Sequence, residues 1–253
     1  MSDHHDDATR MTRVMGIVNV TPDSFSDGGC FLDPVRAVEH GLSLEQEGAH
    51  ILDVGGESTR PGAEPVGEEE ECRRVLPVVE GLAKRGSVPV SVDTMKAGVA
   101  KRAIEAGAAW VNDVSALRHD PAMAGIVASH AVPVVLMHMK GTPRDMQRTP
   151  VYRDVVREVC SFFEERIGFA IAYGIRKENI ILDPGIGFGK TLAHNLALLS
   201  GLQAFVPLGC PLLVGPSRKS FIGEILKVPV DDRLEGTAAA VAGAVMQGAD
   251  IVR

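Results

Sequence analysis

Met-Gly-Ile-Val-Asn-Val-Thr-Pro-Asp-Ser-Phe-Ser-Asp-Gly-Gly, from Met15 to Gly29, carries an apolar run of strand length, Val14 to Val20, directly into a polar, glycine-bearing loop. The run Pro211 to Val214 does the same, leading into Gly-Pro-Ser-Arg-Lys-Ser from Gly215 to Ser220. Parallel α/β proteins deliver functional groups to the carboxyl ends of their strands in this way. Working outward, further strand-length runs occur at His50 to Val54, Val88 to Val92, Trp110 to Val111, Val132 to Met137, Asn179 to Leu182 and Asp250 to Val252. Between them, Val35 to Gln46, Glu68 to Lys84, Lys96 to Ala106, Val151 to Tyr173 and Arg233 to Gln247 have helical spacing and helix-forming composition. Alternating β and α requires parallel strands joined by right-handed crossovers. Gly48, Gly107 and Gly248 each stand where a helix gives way to a strand, the place for a left-handed C-cap. An open doubly wound sheet and a closed barrel both bury such strands on two faces. The number of strands favours the α/β (β/α)8 TIM barrel.

The chain has 253 residues, and a barrel of this kind needs about 250. Its 45% hydrophobic and 23% charged residues suit one sizeable core. No apolar run is long enough to span a bilayer. Residues 1–12, with His4 and His5, read as a disordered leader without signal character, and residues 13–253 as a single domain in a cytoplasmic protein. A net charge of −7 argues against a nucleic-acid binder. Cys30, Cys72, Cys160 and Cys210 form no Cys-x-x-Cys pair, so reduced thiols are expected.

The strand ends and the loops after them carry Asn19, Asp53, Asp93, Asn112 with Asp113, His138, Asp183, Ser217 with Lys219, and Arg253. In a barrel these positions surround one mouth. Asp and Asn are also favoured at turns and helix caps, so singly each has a structural explanation. Lys219 and Arg253 do not, because a helix N-terminus disfavours cations. Opposite Asp93 and Asp183 they make sense as ligand-facing charges.

Asp183-Pro-Gly-Ile-Gly-Phe-Gly-Lys190 lacks both the P-loop pattern and the setting of a dinucleotide fingerprint. Its glycines suit a backbone passing close to a flat ligand, with Phe188 as an apolar wall. Gly55 to Gly62 contains Thr59 and Arg60, a combination suited to a phosphate clamp. The acidic run Glu68 to Glu71 reads as the dipole-favoured start of a helix.

The segments Asn19 to Gly29, Asp53 to Gly62, Val92 to Thr94, Asn112 with Asp113, Asp183 to Lys190 and Gly215 to Ser220 resemble the dihydropteroate synthase family of pterin-binding barrels over nearly the whole chain. The resemblance implies a folate-pathway transferase that forms a C–N bond, joining 6-hydroxymethyl-7,8-dihydropterin pyrophosphate to p-aminobenzoate. It implies that Asp93, Asn112, Asp183, Lys219, Arg253, Phe188 and Gly215 bind the pterin, with Lys219, Arg253 and Asp93 in the catalytic role. Asn19, Thr59, Arg60 and Arg253 would hold pyrophosphate, and Phe25, Thr59, Pro61, Phe188, Lys219 and Ser220 would receive p-aminobenzoate. Asn19 would be the protein ligand of Mg²⁺, sulfonamides would inhibit, and outer helices would build a homodimer.

The family continues past Arg253 with a histidine for pyrophosphate and an eighth outer helix. Their absence leads to the expectation of a truncated form with a short eighth strand and no eighth helix, less stable and less active than its parent. A methyltetrahydrofolate-dependent methyltransferase and a non-catalytic pterin-binding form are the alternatives. The Gly215 to Ser220 loop argues against the first.

Overall fold

The computed structural model describes residues 11–21, 34–58, 62–142, 145–147 and 150–253. The strands are β1 (Arg13–Asn19), β2 (Ile51–Gly55), β3 (Val90–Asp93), β4 (Trp110–Asp113), β5 (Val134–Met137), β6 (Ile180–Asp183), β7 (Leu213–Val214) and β8 (Ile251–Val252). The helices are α1 (Pro34–Gln46), α2 (Glu68–Arg85), α3 (Ala97–Glu105), α4 (Met123–His130), α5 (Val155–Ala172), α6 (Leu192–Ser200), α7 (Ser220–Leu226) and α8 (Leu234–Met246); α7 and α8 both lie between β7 and β8, so α8 is not the outer helix that the family places after the eighth strand. The strands form one parallel sheet in the order β6-β5-β4-β3-β2-β1-β8-β7. A parallel bridge between Leu182 and Leu212 joins its two edges and closes the barrel. Each predicted strand is present within two residues of its expected ends.

Closure sorts each strand by parity, because successive side chains point to opposite faces. Leu52, Val54, Val90, Val92, Val111, Val134, Leu136, Ile180, Leu182 and Val214 pack outward into the large core shared with the helices. Met15, Ile51, Trp110, Val135, Ile181, Leu213 and Ile251 form a separate cluster in the lumen. Arg13 lies over the Trp110 ring at 5.2 Å from its centroid, beneath this layer. Two residues further along the lumen-facing register come Asp53, Asn112, Asp183 and Arg253, so the same alternation that fills the barrel floor delivers polar groups to its mouth.

Gly48, Gly107 and Gly248 have φ of 106°, 112° and 96°, the left-handed C-caps expected of them. α5 begins at Val155, later than its apolar pattern, because the Asp154 carboxylate accepts from the Arg157 amide and fixes the N-cap there. α4, α6 and α7 were not read from the sequence. They are 8, 9 and 7 residues long, and unlike α3, which is as short as α6 but has a charged face opposite its apolar one, α4 and α6 are apolar nearly all round and show no separate stripe. α6 is instead opened by a reciprocal cap between Thr191 and His194.

Thr12, placed by sequence in the leader, donates through its hydroxyl to the Ala249 carbonyl. Cys72, Cys160 and Cys210 are free thiols, and Cys30 lies outside the described residues. Among the described residues no helix is long and apolar enough to cross a membrane.

Candidate active site

Register places Asp53 opposite Ser91 on β3, and Asp93 opposite Asn112 on β4. At the mouth, Arg253 donates from Nε to Asp53 Oδ2 at 2.6 Å and from Nη2 to Asp93 Oδ2 at 2.9 Å. Asn112 Nδ2 donates to the same Asp53 oxygen at 2.8 Å. Asp53 Oδ1 is buried with no hydrogen-bond partner among the described residues. A buried acceptor left unpaired is costly and suits a site that a ligand completes.

Burial, reinforced by the Asp53 charge, pushes the Asp93 carboxyl up to about 7 despite Arg253. Burial works against the Arg253 charge, yet Asp53 and Asp93 hold the guanidinium above its ordinary value. Asp183, buried at the end of β6, accepts from the Gly185 amide through Oδ1 at 2.7 Å, and burial raises its pKa. A carboxylate has a second acceptor oxygen, which a ligand at the mouth can use.

Lys219 precedes α7 and lies over Phe188, with Nζ 4.2 Å from the ring centroid. Burial, then the charge of Arg253, lowers its pKa to about 8. The residue before it, Arg218, has φ of 51°, an uncommon conformation for a side-chain-bearing residue. It is held there by α8: the Arg218 amide donates to Thr237 Oγ1 at 3.0 Å, and Arg233 Nη1 donates to the Arg218 carbonyl at 3.0 Å. Backbone strain next to a functional side chain is characteristic of a pre-set site. Gly215 lies beside Arg253, where an added Cβ would meet its carbonyl at 3.6 Å.

The structure therefore brings Asp93, Asn112, Asp183, Phe188, Gly215, Lys219 and Arg253 to one mouth. Asn19 is exposed at the end of β1, and Ser220 is exposed as the first residue of α7. Phe25, Thr59, Arg60 and Pro61 lie outside the described residues.

Two readings need revision, those of Asp53 and Glu71, and for Asp113 the cap that the sequence allowed is the one found. Asp53, noted in sequence only as a strand end, is the hub of the polar network, and strand parity is the signal that would have found it. Asp113 is a structural cap: it accepts from Ser115 N, Ser115 Oγ and Leu117 N, while Ala116 and Leu117 turn through φ of 54° and 62°. In the acidic run, Glu71 is fully buried and pairs with Lys96, which also pairs with Glu57. That contact ties the start of α2 and the residue before α3 to the loop after β2. The helix-start reading suits the other three carboxylates.

The glycines of the 183–190 loop also have a cause beyond a flat ligand. Gly185, Gly187 and Gly189 have φ of 67°, 84° and 63°. A Cβ on Gly185 would sit 2.1 Å from the His138 carbonyl oxygen, and one on Gly189 would sit 2.6 Å from that of Lys140. The protein's own packing demands glycine there.

A closed parallel barrel with buried carboxylates and cations gathered at the carboxyl ends of its strands is an enzyme scaffold with its chemistry at that mouth. The family profile of pterin binding enzymes matches residues 15–253. The dihydropteroate synthase of Escherichia coli is 50% identical over 240 residues, covering 95% of this chain and 85% of that protein. The Yersinia pestis dihydropteroate synthase, solved with a sulfonamide drug, superposes with a TM-score of 0.91 at 48% identity, covering 96% of this chain and 88% of that one. The Xanthomonas albilineans enzyme, solved with 4-aminobenzoic acid, gives 0.90 at 51% identity, covering 96% and 86%. The chain belongs to the pterin-binding enzyme family, and within it to the dihydropteroate synthases.

Proposed function

We propose that residues 13–253 act as one pterin-binding barrel that condenses 6-hydroxymethyl-7,8-dihydropterin pyrophosphate with p-aminobenzoate, giving 7,8-dihydropteroate and pyrophosphate in the cytoplasm. The observation that carries the reading is the convergence of Asp93, Asn112 and Asp183 with Lys219 and Arg253 at one mouth. A pterin offers a flat edge of alternating donors and acceptors. Asp183 accepts from its amino-pyrimidine part, and Asn112 and Asp93 match the remaining edge atoms. Lys219 donates to the ring carbonyl or neighbouring ring nitrogen. Arg253 stacks on the ring or turns to phosphate, which requires it to release at least one of its two carboxylates.

Departure of pyrophosphate takes the electron pair of the C–O bond and leaves a methylene cation conjugated to the pterin. Arg253, with Thr59 and Arg60, offsets the charge on the leaving group. The lone pair of the arylamine forms the new C–N bond, and the amine gives up a proton. Ser220 holds the benzoate carboxylate, while Phe25, Pro61, Phe188 and Lys219 wall that pocket. Sulfonamides, which share the aminophenyl group, inhibit at the same place.

Asn19 offers a single neutral oxygen of the hard type Mg²⁺ prefers, and among the described residues no group of three His, Cys, Asp or Glu is placed to hold a metal. That donor set fits an ion carried mainly by phosphate oxygens and water, with Asn19 as its one protein ligand. Bound there, Mg²⁺ would supply charge neutralisation on the pyrophosphate. α8 presents Leu234, Val245 and Met246 to solvent, and homodimerisation through the outer helices would cover them.

The test is pyrophosphate release by the purified protein with Mg²⁺ and dihydropterin pyrophosphate, with and without p-aminobenzoate. Dihydropteroate formed only with the arylamine is the expected result. Retained pterin binding without product under any Mg²⁺ concentration would leave a binding protein.

A further inference from the structure

Asn112 carries an amide whose two ends a ligand meets differently, because Nδ2 has two donors and Oδ1 only accepts. The residue is buried, 3% exposed, near the end of β4. Its backbone lies in register with Asp93 on β3 and Val135 on β5, and its carbonyl accepts from the Thr94 amide at 3.0 Å. Among the described residues the side chain makes one hydrogen bond, from Nδ2 to Asp53 Oδ2 at 2.8 Å.

That bond decides which way round the amide sits. Asp53 is fully buried on a strand buried along its whole length, and the same Oδ2 accepts from Arg253 Nε at 2.6 Å. A carboxylate offers only acceptors. Turning the Asn112 amide over would replace a charge-assisted bond by two buried oxygens facing each other. The amide therefore keeps its second N–H and Oδ1 for the mouth, in a fixed order.

The pterin ring has a complementary order. With Asp183 on its amino-pyrimidine part and Lys219 on the ring carbonyl or the nitrogen beside it, the heteroatoms left on the dihydropterin edge are N1, an acceptor, and N8–H, a donor. These flank one carbon, as Nδ2 and Oδ1 flank the amide carbon, so the two pairs match. In the fully oxidised ring N8 has no hydrogen and would face Oδ1 as a second acceptor. The rest of the hydrogen-bonding edge is the same in both forms.

We infer that Asp53 is a positioning residue that fixes the Asn112 amide with Oδ1 toward N8, so that Asn112 distinguishes the dihydro form of the ring from the oxidised one. This rests on the pterin reading given above.

The quantity that tests it is the ratio of dissociation constants for oxidised 6-hydroxymethylpterin and its 7,8-dihydro form, read by anaerobic calorimetric titration. The unaltered protein is expected to favour the dihydro form about tenfold. Asn112→Leu, similar in size but without polar atoms, is expected to bring the ratio to about one. Asp53→Asn leaves residue 112 intact but lets either end of its amide find a partner, and the ratio is expected to fall below about threefold. General loosening of the barrel would weaken both ligands alike and leave the ratio unmoved. A ratio near one in the unaltered protein, or an unchanged ratio in either folded variant, overturns the inference.

If neither variant folds, NMR of the nitrogen-labelled unaltered protein decides. One Nδ2 proton of Asn112 is expected downfield in the free protein and unmoved by the dihydropterin, while the other shifts on binding. Loss of the downfield signal on binding overturns the inference. An unaltered protein that prefers the dihydro form but makes no dihydropteroate when given Mg²⁺, the pyrophosphate ester and p-aminobenzoate sinks the proposed reaction alone. Turnover with equal affinity for both rings sinks this inference alone, and binding of neither ring sinks both.

Discussion

Arg253 Nε and Asp53 Oδ2 lie 2.6 Å apart although the residues are 200 positions apart in the chain, and this contact fastens the end of β8 to β2 across the barrel lumen. The Asp53 side chain is fully buried. Removing one partner of a buried ion pair leaves the other charge without compensation, a loss of roughly 3–5 kcal/mol. Asp53→Ala is therefore expected to lose stability on that order in urea unfolding and to abolish turnover. A variant as stable as the unaltered protein would show that Asp93 alone suffices for Arg253.

Asp93 gives a pH prediction with a definite sign. Its folded pKa of about 7 stands above its ordinary 3.8, so the folded state holds the proton more tightly between these values. The contribution of this group to stability is complete below pH 3.8 and is lost as pH rises through 7. Other groups titrate in the same range, so the useful quantity is the stability of the unaltered protein minus that of Asp93→Asn. It should fall by about 2 kcal/mol between pH 5 and pH 7.5. A flat difference would mean that Arg253 cancels the cost of burying the carboxylate.

Lys219 acts on the ligand side of the same balance. Its pKa of about 8 means that it loses its proton within an accessible range. Affinity for dihydropterin pyrophosphate should weaken from pH 7 to pH 9 in the unaltered protein. In Lys219→Met the affinity should be lower at pH 7, and the part of the slope owed to this residue should vanish. Since the ligand titrates too, identical slopes in both proteins would remove Lys219 charge from the binding energy.

Much of this was legible in the sequence because a barrel writes its strands as apolar runs and its site as the residues that end them. Lys219 and Arg253 stood out because cations are misplaced near helix starts unless something else uses them. Asp53 was placed at the mouth with the other strand ends, but its role as the common acceptor for Arg253 and Asn112 depends on the two-residue alternation that sets it beside Arg253. Lys190 and His138 were not legible as a pair: they are 52 residues apart, and their contact depends on how the loops after β5 and β6 pack. Glu71 was hidden in a run whose other members behave as ordinary helix-start carboxylates.

Two glycines separate backbone need from helix propensity. At Gly185, φ is 67° and a Cβ would meet the His138 carbonyl oxygen at 2.1 Å, a backbone atom that cannot swing aside. Gly185→Ala should cost more than about 2 kcal/mol through strain and displacement of the loop, and should weaken pterin binding by shifting the amide that holds Asp183. Gly168 lies exposed within α5, and a Cβ there would meet nothing within 4 Å. Gly168→Ala should stabilise by roughly 0.5–1 kcal/mol, because glycine pays more backbone entropy than alanine in a helix. Thermal unfolding and pterin titration on both variants make the check. A tolerated alanine at 185 with unchanged affinity would mean that the 183–190 loop adapts freely, and the account of a clamped loop would have to be abandoned.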